Sequence, residues 1–186
     1  MWPWGHLAVA YLLYTGITTS RFDRVPRAWP LLALALGTQF PDLIDKPLAW
    51  TFGVLPGGRT FAHSLLVAAL LVPAVVAVAI HLDRREVGTA FVLGHVSHLL
   101  ADVPPAAFTG DLSGIAFLLW PLVDQPPEEP VDGLLDAILH YYAMGPYEVF
   151  QLGLFVVAAL VWYHDGRPGL GLVRTSIDRL GRLVRS

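Results

Sequence analysis

Apolar residues run nearly unbroken over about 4–20, 28–44, 63–81, 88–103, 114–123 and 147–163, and the polar residues gather between these runs and at their ends. A helix that crosses a bilayer takes about 20 apolar residues, with a lower limit near 17. Runs one, two, three and six meet that length. Run four is short and holds two histidines, so it spans only if extended by Val103 and its neighbours or if surrounded by protein. Run five, Gly114 to Val123, is too short and is stopped by Pro121, which predicts a re-entrant or interfacial segment.

Arginine and lysine orient these runs. Arg21, Arg24 and Arg27 follow run one, Arg84 and Arg85 follow run three, and Arg167, Arg174, Arg179, Arg182 and Arg185 follow run six. The alternate connections hold only Lys46 and Arg59. Basic loops stay in the cytoplasm, so five spans, from runs one, two, three, four and six, put the N-terminus outside and the C-terminus inside. The distribution therefore supports run four as a span despite its length. The stretch 102–146 lacks basic residues altogether; Pro126, Pro127 and Pro130 make its acidic part a loop, either a lid or simply solvated. After Gly169 the apolar Leu172, Ile177, Leu180 and Val184 share one helical face among arginines, as in an amphipathic helix on the inner leaflet. The expected architecture is an all-α, polytopic membrane bundle of about five spanning helices, with a short re-entrant or interfacial segment and a C-terminal amphipathic helix. It divides into a membrane-embedded domain, 1–165, and a basic cytoplasmic tail, 166–186.

Composition agrees with a membrane location. The 186 residues are 55% hydrophobic and 15% charged, against about 25% charged in a soluble domain. The net charge of −3 favours no nucleic-acid partner. The N-terminus lacks a basic stretch and a convincing Ala-x-Ala site, so run one is expected to be retained. With no cysteine, a bound metal must use imidazole and carboxylate, which suits zinc, iron or manganese.

Such groups are present, and the topology puts them all on the outer side. His6 lies near the start of run one, Asp42 and Asp45 at the end of run two, His63 at the start of run three, and His98 with Asp102 at the end of run four. Ionisable residues in membrane segments are expensive and mark function. His98 and Asp102 are four apart and share a helical face with His95. Each residue also has a plainer reading. His98 and Asp102 can form an ordinary hydrogen bond, Asp42 can cap a helix after Pro41, Asp45 can pair with Lys46, Ser64 can cap a helix, and Arg59 can be a surface arginine rather than a fork-shaped phosphate donor. His81 and His164 fall on the cytoplasmic side without acidic partners, and His140 is outside, within reach of the site.

At these residues the chain resembles the YdjM-like family of inner-membrane, metal-dependent hydrolases. An early His6, Pro41-Asp42 with Asp45, Arg59 to His63-Ser64, and Ser97-His98-Leu99-Leu100-Ala101-Asp102 correspond to its elements in order. The acid after Asp42 is displaced by one residue, and Gly58 and Ala62 depart from the family pattern. The family is in turn similar to zinc-dependent phospholipase C and P1-type nucleases, whose His-x-x-x-Glu element has no counterpart after residue 102. The resemblance implies metal ligands His6, Asp42, His63, His98 and Asp102 for one or two divalent ions, zinc above all. The mechanism expected at such a site gives Arg59 the role of charge neutraliser and Asp45 that of orienter or base for water. The expected function is a membrane-bound metal-dependent hydrolase at the extracytoplasmic face of the inner or plasma membrane. The bilayer would supply a phospholipid or lipid-linked phosphate substrate. The alternative is a non-catalytic membrane protein with a structural metal. The oligomeric state is left open.

Overall fold

The computed structural model describes residues 1–125, 135 and 145–172. Its long elements are α1 (Pro3–Phe22), α2 (Ala28–Lys46), α3 (Leu65–His81), α4 (Arg85–Ala101) and α5 (Pro146–His164), with no strand among the described residues. A π-type turn (Pro47–Thr51) extends α2, and two 3-10 turns (Pro105–Thr109 and Ser113–Leu119) follow α4. The acidic stretch beyond residue 125, His140 and the amphipathic tail after residue 172 lie outside the described residues.

Local chemistry sets several boundaries. Pro3 opens α1, where its missing N–H is no loss, and Asp23 closes it in the left-handed region at φ 49°. Ser64 caps α3: its Oγ accepts from Leu66 N at 3.1 Å and donates to Trp120 O at 2.6 Å, tying the helix to the segment after the 3-10 turns. Pro41 does not break α2, which continues through it to Lys46. Asp42 is thus a residue of the helix body and not the cap that a proline break would make it.

The core is a seam of small residues. The most extensive contact is between α2 and α4. A Cβ at Gly37 would lie 2.1 Å from Phe91 O, and one at Gly94 2.3 Å from Leu34 O. Only glycine admits that approach, the device by which membrane helices bring backbones together. Ala10, Tyr14, Leu34 and Ala90 fill the space beside the seam, and Ala8, Tyr11 and Ala158 join α1 to α5. At the far end of that pair, Asp165 Oδ2 accepts from Tyr11 Oη at 2.6 Å and Thr15 Oγ1 at 2.9 Å.

Large apolar side chains face outward along α3 and α5, among them Leu70 and Leu160. Among the described helices, α5 alone combines the length and hydropathy of a membrane span. α3 is apolar but stops at 17 residues. α1 and α2 have the length, but glycine, threonine, glutamine and acids dilute their hydropathy, and α4 is short and carries Arg85, Glu86, His95 and His98. The five-span expectation is thereby reduced to an all-α bundle with one span by length and composition. The physical reason is that the same segments must supply both the polar cluster and the close seam.

Candidate metal centre

The five predicted ligands converge at one end of the bundle, and each arrives from a different place. His6 comes from the first turns of α1, Asp42 from α2, His63 from the turn before α3, His98 from the last turn of α4 and Asp102 from its C-cap. All five are buried. The i, i+4 spacing of His98 and Asp102 sets their side chains on one face, 3.7 Å apart.

Second-layer hydrogen bonds fix both central imidazoles. His98 Nδ1 lies 2.6 Å from the carbonyl oxygen of Thr38, a contact the glycine seam permits. His63 Nδ1 lies 2.8 Å from Asp45 Oδ2. Both partners are acceptors, so both rings carry the proton on Nδ1 and present a bare Nε2 inward, the orientation that metal-ligating histidines take. Those two Nε2 atoms are 3.0 Å apart. Lone pair would face lone pair unless a proton or a cation lies between them.

The surrounding oxygens have the spacing that a cation needs. His63 Nε2 and His98 Nε2 lie 3.5 and 3.8 Å from Asp42 Oδ1, and 3.6 and 3.7 Å from Asp102 Oδ2. Four ligands at zinc-like bond lengths on a tetrahedron stand about 3.3–3.6 Å from one another. Asp42 Oδ1 is buried without a hydrogen-bond partner, as a ligand atom awaiting a cation would be. Its other oxygen accepts from Lys46 Nζ at 2.6 Å, so this lysine pairs with Asp42 and not with Asp45. The donor set therefore fits a divalent ion, with ligands in two overlapping groups: Asp42, His63 and His98; and His6, His98 and Asp102.

Asp102 faces two ways. Its Oδ1 lies 3.2 Å from His6 Nε2 and also meets the terminal amine of Met1, while Oδ2 faces His63 and His98. The His6 ring stacks on His98 at 3.8 Å between centroids.

Asp45 stands differently from its predicted place. Its carboxylate is fully buried and accepts from the backbone N–H groups of Thr60 (2.9 Å), Ala62 (2.8 Å) and His63 (3.3 Å), besides meeting the His63 ring. Both oxygens are engaged in folding the 60–63 turn and aiming His63. Arg59 lies at the rim, half-exposed, with Nε 4.0 Å from Asp102 Oδ2. His95 is buried beside Phe40, outside both ligand groups. His81 and His164 are exposed, away from the cluster. Burial opposes the charged form of His63, but the neighbouring carboxylates of Asp42 and Asp45 outweigh that and hold its pKa above the ordinary histidine value.

Sequence reasoning does not find Thr38, whose contribution is a main-chain carbonyl, nor Lys46 as the partner that turns Asp42. The one available signal for Thr38 is its place beside Gly37.

The sequence model of the YdjM inner membrane protein family matches residues 1–169. No curated protein and no solved structure matches the chain.

Proposed function

The chain belongs to the YdjM inner membrane protein family, and on that premise we propose that its histidine–aspartate cluster binds a divalent metal, zinc by ligand type, and that the protein is a membrane-embedded hydrolase of phosphoesters. The observation that carries metal binding is the pair of Nε2 atoms 3.0 Å apart, each ring already donating through Nδ1. Asp42, His63 and His98 would hold an ion, with Asp102 beside both imidazoles, and His6 with Asp102 would begin a second position.

When bound, such a metal supplies a water made acidic enough to act as hydroxide near neutral pH. Water adds to phosphorus, the P–O bond to the leaving alcohol breaks, and the alcohol takes a proton. Arg59 faces the negative charge that grows on the phosphoryl oxygens. Asp45 is a positioning residue: it orients His63. The arginine distribution supports a multi-pass arrangement, with the cluster at the extracytoplasmic face, near lipid headgroups. The test is elemental analysis of purified protein, with phosphodiester and phospholipid cleavage measured beside His98→Ala. Metal bound and activity lost in the variant is the expected result; equal activity in both proteins overturns the assignment.

A second reading, a structural metal, is favoured by the near-complete burial of Asp42, His63, His98 and Asp102, as in sites closed to water. An exchangeable water on the bound ion separates the two, since a catalytic site keeps one and a closed site does not.

A further inference from the structure

A crevice of about 350 Å³ runs between α1, α2 and α5, bordered by Leu7, Tyr11, Leu34, Thr38, Ala158 and Trp162 among others. That volume is within the range of small-molecule sites. Its walls hold three side chains with polar atoms, and each has a partner elsewhere. Tyr11 Oη donates to Asp165, Trp162 Nε1 donates to Pro168 O at 3.1 Å, and Thr38 Oγ1 donates to His6 O at 3.4 Å. These side chains therefore offer an occupant no free donor, and the otherwise apolar lining suits a hydrocarbon.

Its shape and setting narrow the occupant further. α5, which alone among the described helices has the length and hydropathy of a span, forms one wall, so with α5 across a bilayer the crevice would follow the acyl chains. Along α2 it extends from Thr38 to Leu31, roughly 10 Å at 1.5 Å per residue. A helix, about 10 Å across with its side chains, does not fit such a volume; a methylene chain does. One end abuts the metal centre: Thr38 lines the crevice and its carbonyl holds His98, while Leu7 adjoins His6.

We infer that this crevice takes one acyl chain of a phospholipid from the surrounding bilayer and so brings the phosphodiester to the metal cluster. The placement of the headgroup rests on the functional reading above; the chain's seat in the crevice does not. The test uses the full chain in phospholipid nanodiscs containing a phosphatidylcholine with a photoactivatable diazirine in mid-chain. Adducts are mapped by mass spectrometry with metal removed, so that no turnover is needed. Tyr11, Leu34 and Trp162 are expected to carry a higher adduct density than Leu160, which faces outward on α5. Ala35→Phe and Ala159→Phe, each adding a ring to the crevice wall, are expected to lower the crevice adducts about tenfold, as loss of burial for a few methylenes does. They are expected to leave metal content unchanged. Equal labelling of the crevice and Leu160, or labelling unchanged in both folded variants, overturns the inference, as do chain-to-chain crosslinks through α5 in place of lipid adducts. Crevice labelling in a protein that cleaves no phosphoester sustains the lipid seat and removes the hydrolase reading. Phosphoester cleavage without crevice labelling does the reverse.

Discussion

His63 and His98 meet Nε2 to Nε2 at 3.0 Å, and the opposite nitrogen of each ring is committed to an acceptor, Asp45 and the Thr38 carbonyl. Without metal, a proton on His63 resolves the contact: His63 then donates to His98. The carboxylates of Asp42 and Asp45, which raise the pKa of His63, favour that proton. A metal must displace it, so binding releases a proton and weakens as pH falls. Unfolded histidine titrates near 6.5. A folded value above that contributes stability that is fully present below about 6.5 and is lost as pH rises through the folded pKa. Chelator-treated protein is therefore expected to melt at lower temperature as pH rises through this window, and added zinc to reverse the trend. Thermal melts across pH with and without zinc check this; a metal-free melting temperature that rises with pH would contradict it.

Asp45→Asn tests the positioning role. The amide replaces one acceptor oxygen with a donor, which then opposes a backbone N–H or the His63 ring. The loss of a buried charged acceptor costs about 1–3 kcal/mol, and disturbance of a histidine's outer partner costs about 10–100-fold in metal affinity. Chelator competition and thermal unfolding measure the two effects. If Asp45 instead served only the chemistry, turnover would fall with metal affinity and stability unchanged.

The histidine–aspartate cluster was legible because its chemistry is written in side chains, at the ends of apolar runs. His63 and Asp102 do meet, at 3.6 Å. The apolar runs likewise mark the helices, and Ser64 marks the start of α3. What escaped the sequence depends on relations it does not display. Whether Lys46 turns to Asp42 or Asp45 is decided by the helical register of α2, which continues through Pro41. Asp45 belongs to the 60–63 turn because that turn folds back over it. Among the described helices only α5 has the length and hydropathy of a span, because the glycines, threonines and acids that build the seam and the cluster dilute the hydropathy of α1, α2 and α4.

Gly94→Ala sets two effects against each other. Alanine raises helix propensity by about 1 kcal/mol over glycine. Its Cβ would fall 2.3 Å from Leu34 O, however, a backbone atom that cannot swing aside. Overpacking of this kind costs about 1–3 kcal/mol, so net destabilisation is expected. Because the seam also brings Thr38 O to His98, metal affinity should fall along with it. Unfolding in detergent by denaturant, with a parallel zinc titration, gives both readouts; a stabilised variant would show that the α2–α4 approach is looser than described.

Arg59 tests the chemical step apart from the metal. It lies 4.0 Å from Asp102 Oδ2 and is half-exposed, so its removal leaves the four central ligand atoms and their hydrogen bonds in place. Arg59→Ala is expected to keep metal content and melting temperature close to those of the parent, since a rim ion pair contributes about 0–1 kcal/mol. If the guanidinium faces charge that develops on phosphorus oxygens, turnover should drop by about 10²–10³, as it does when a preorganised donor is removed. Arg59→Lys restores the charge but not the fork, and should recover only part of the rate. Loss confined to KM would make Arg59 a substrate-binding residue. Full activity in Arg59→Ala would take it out of the reaction altogether.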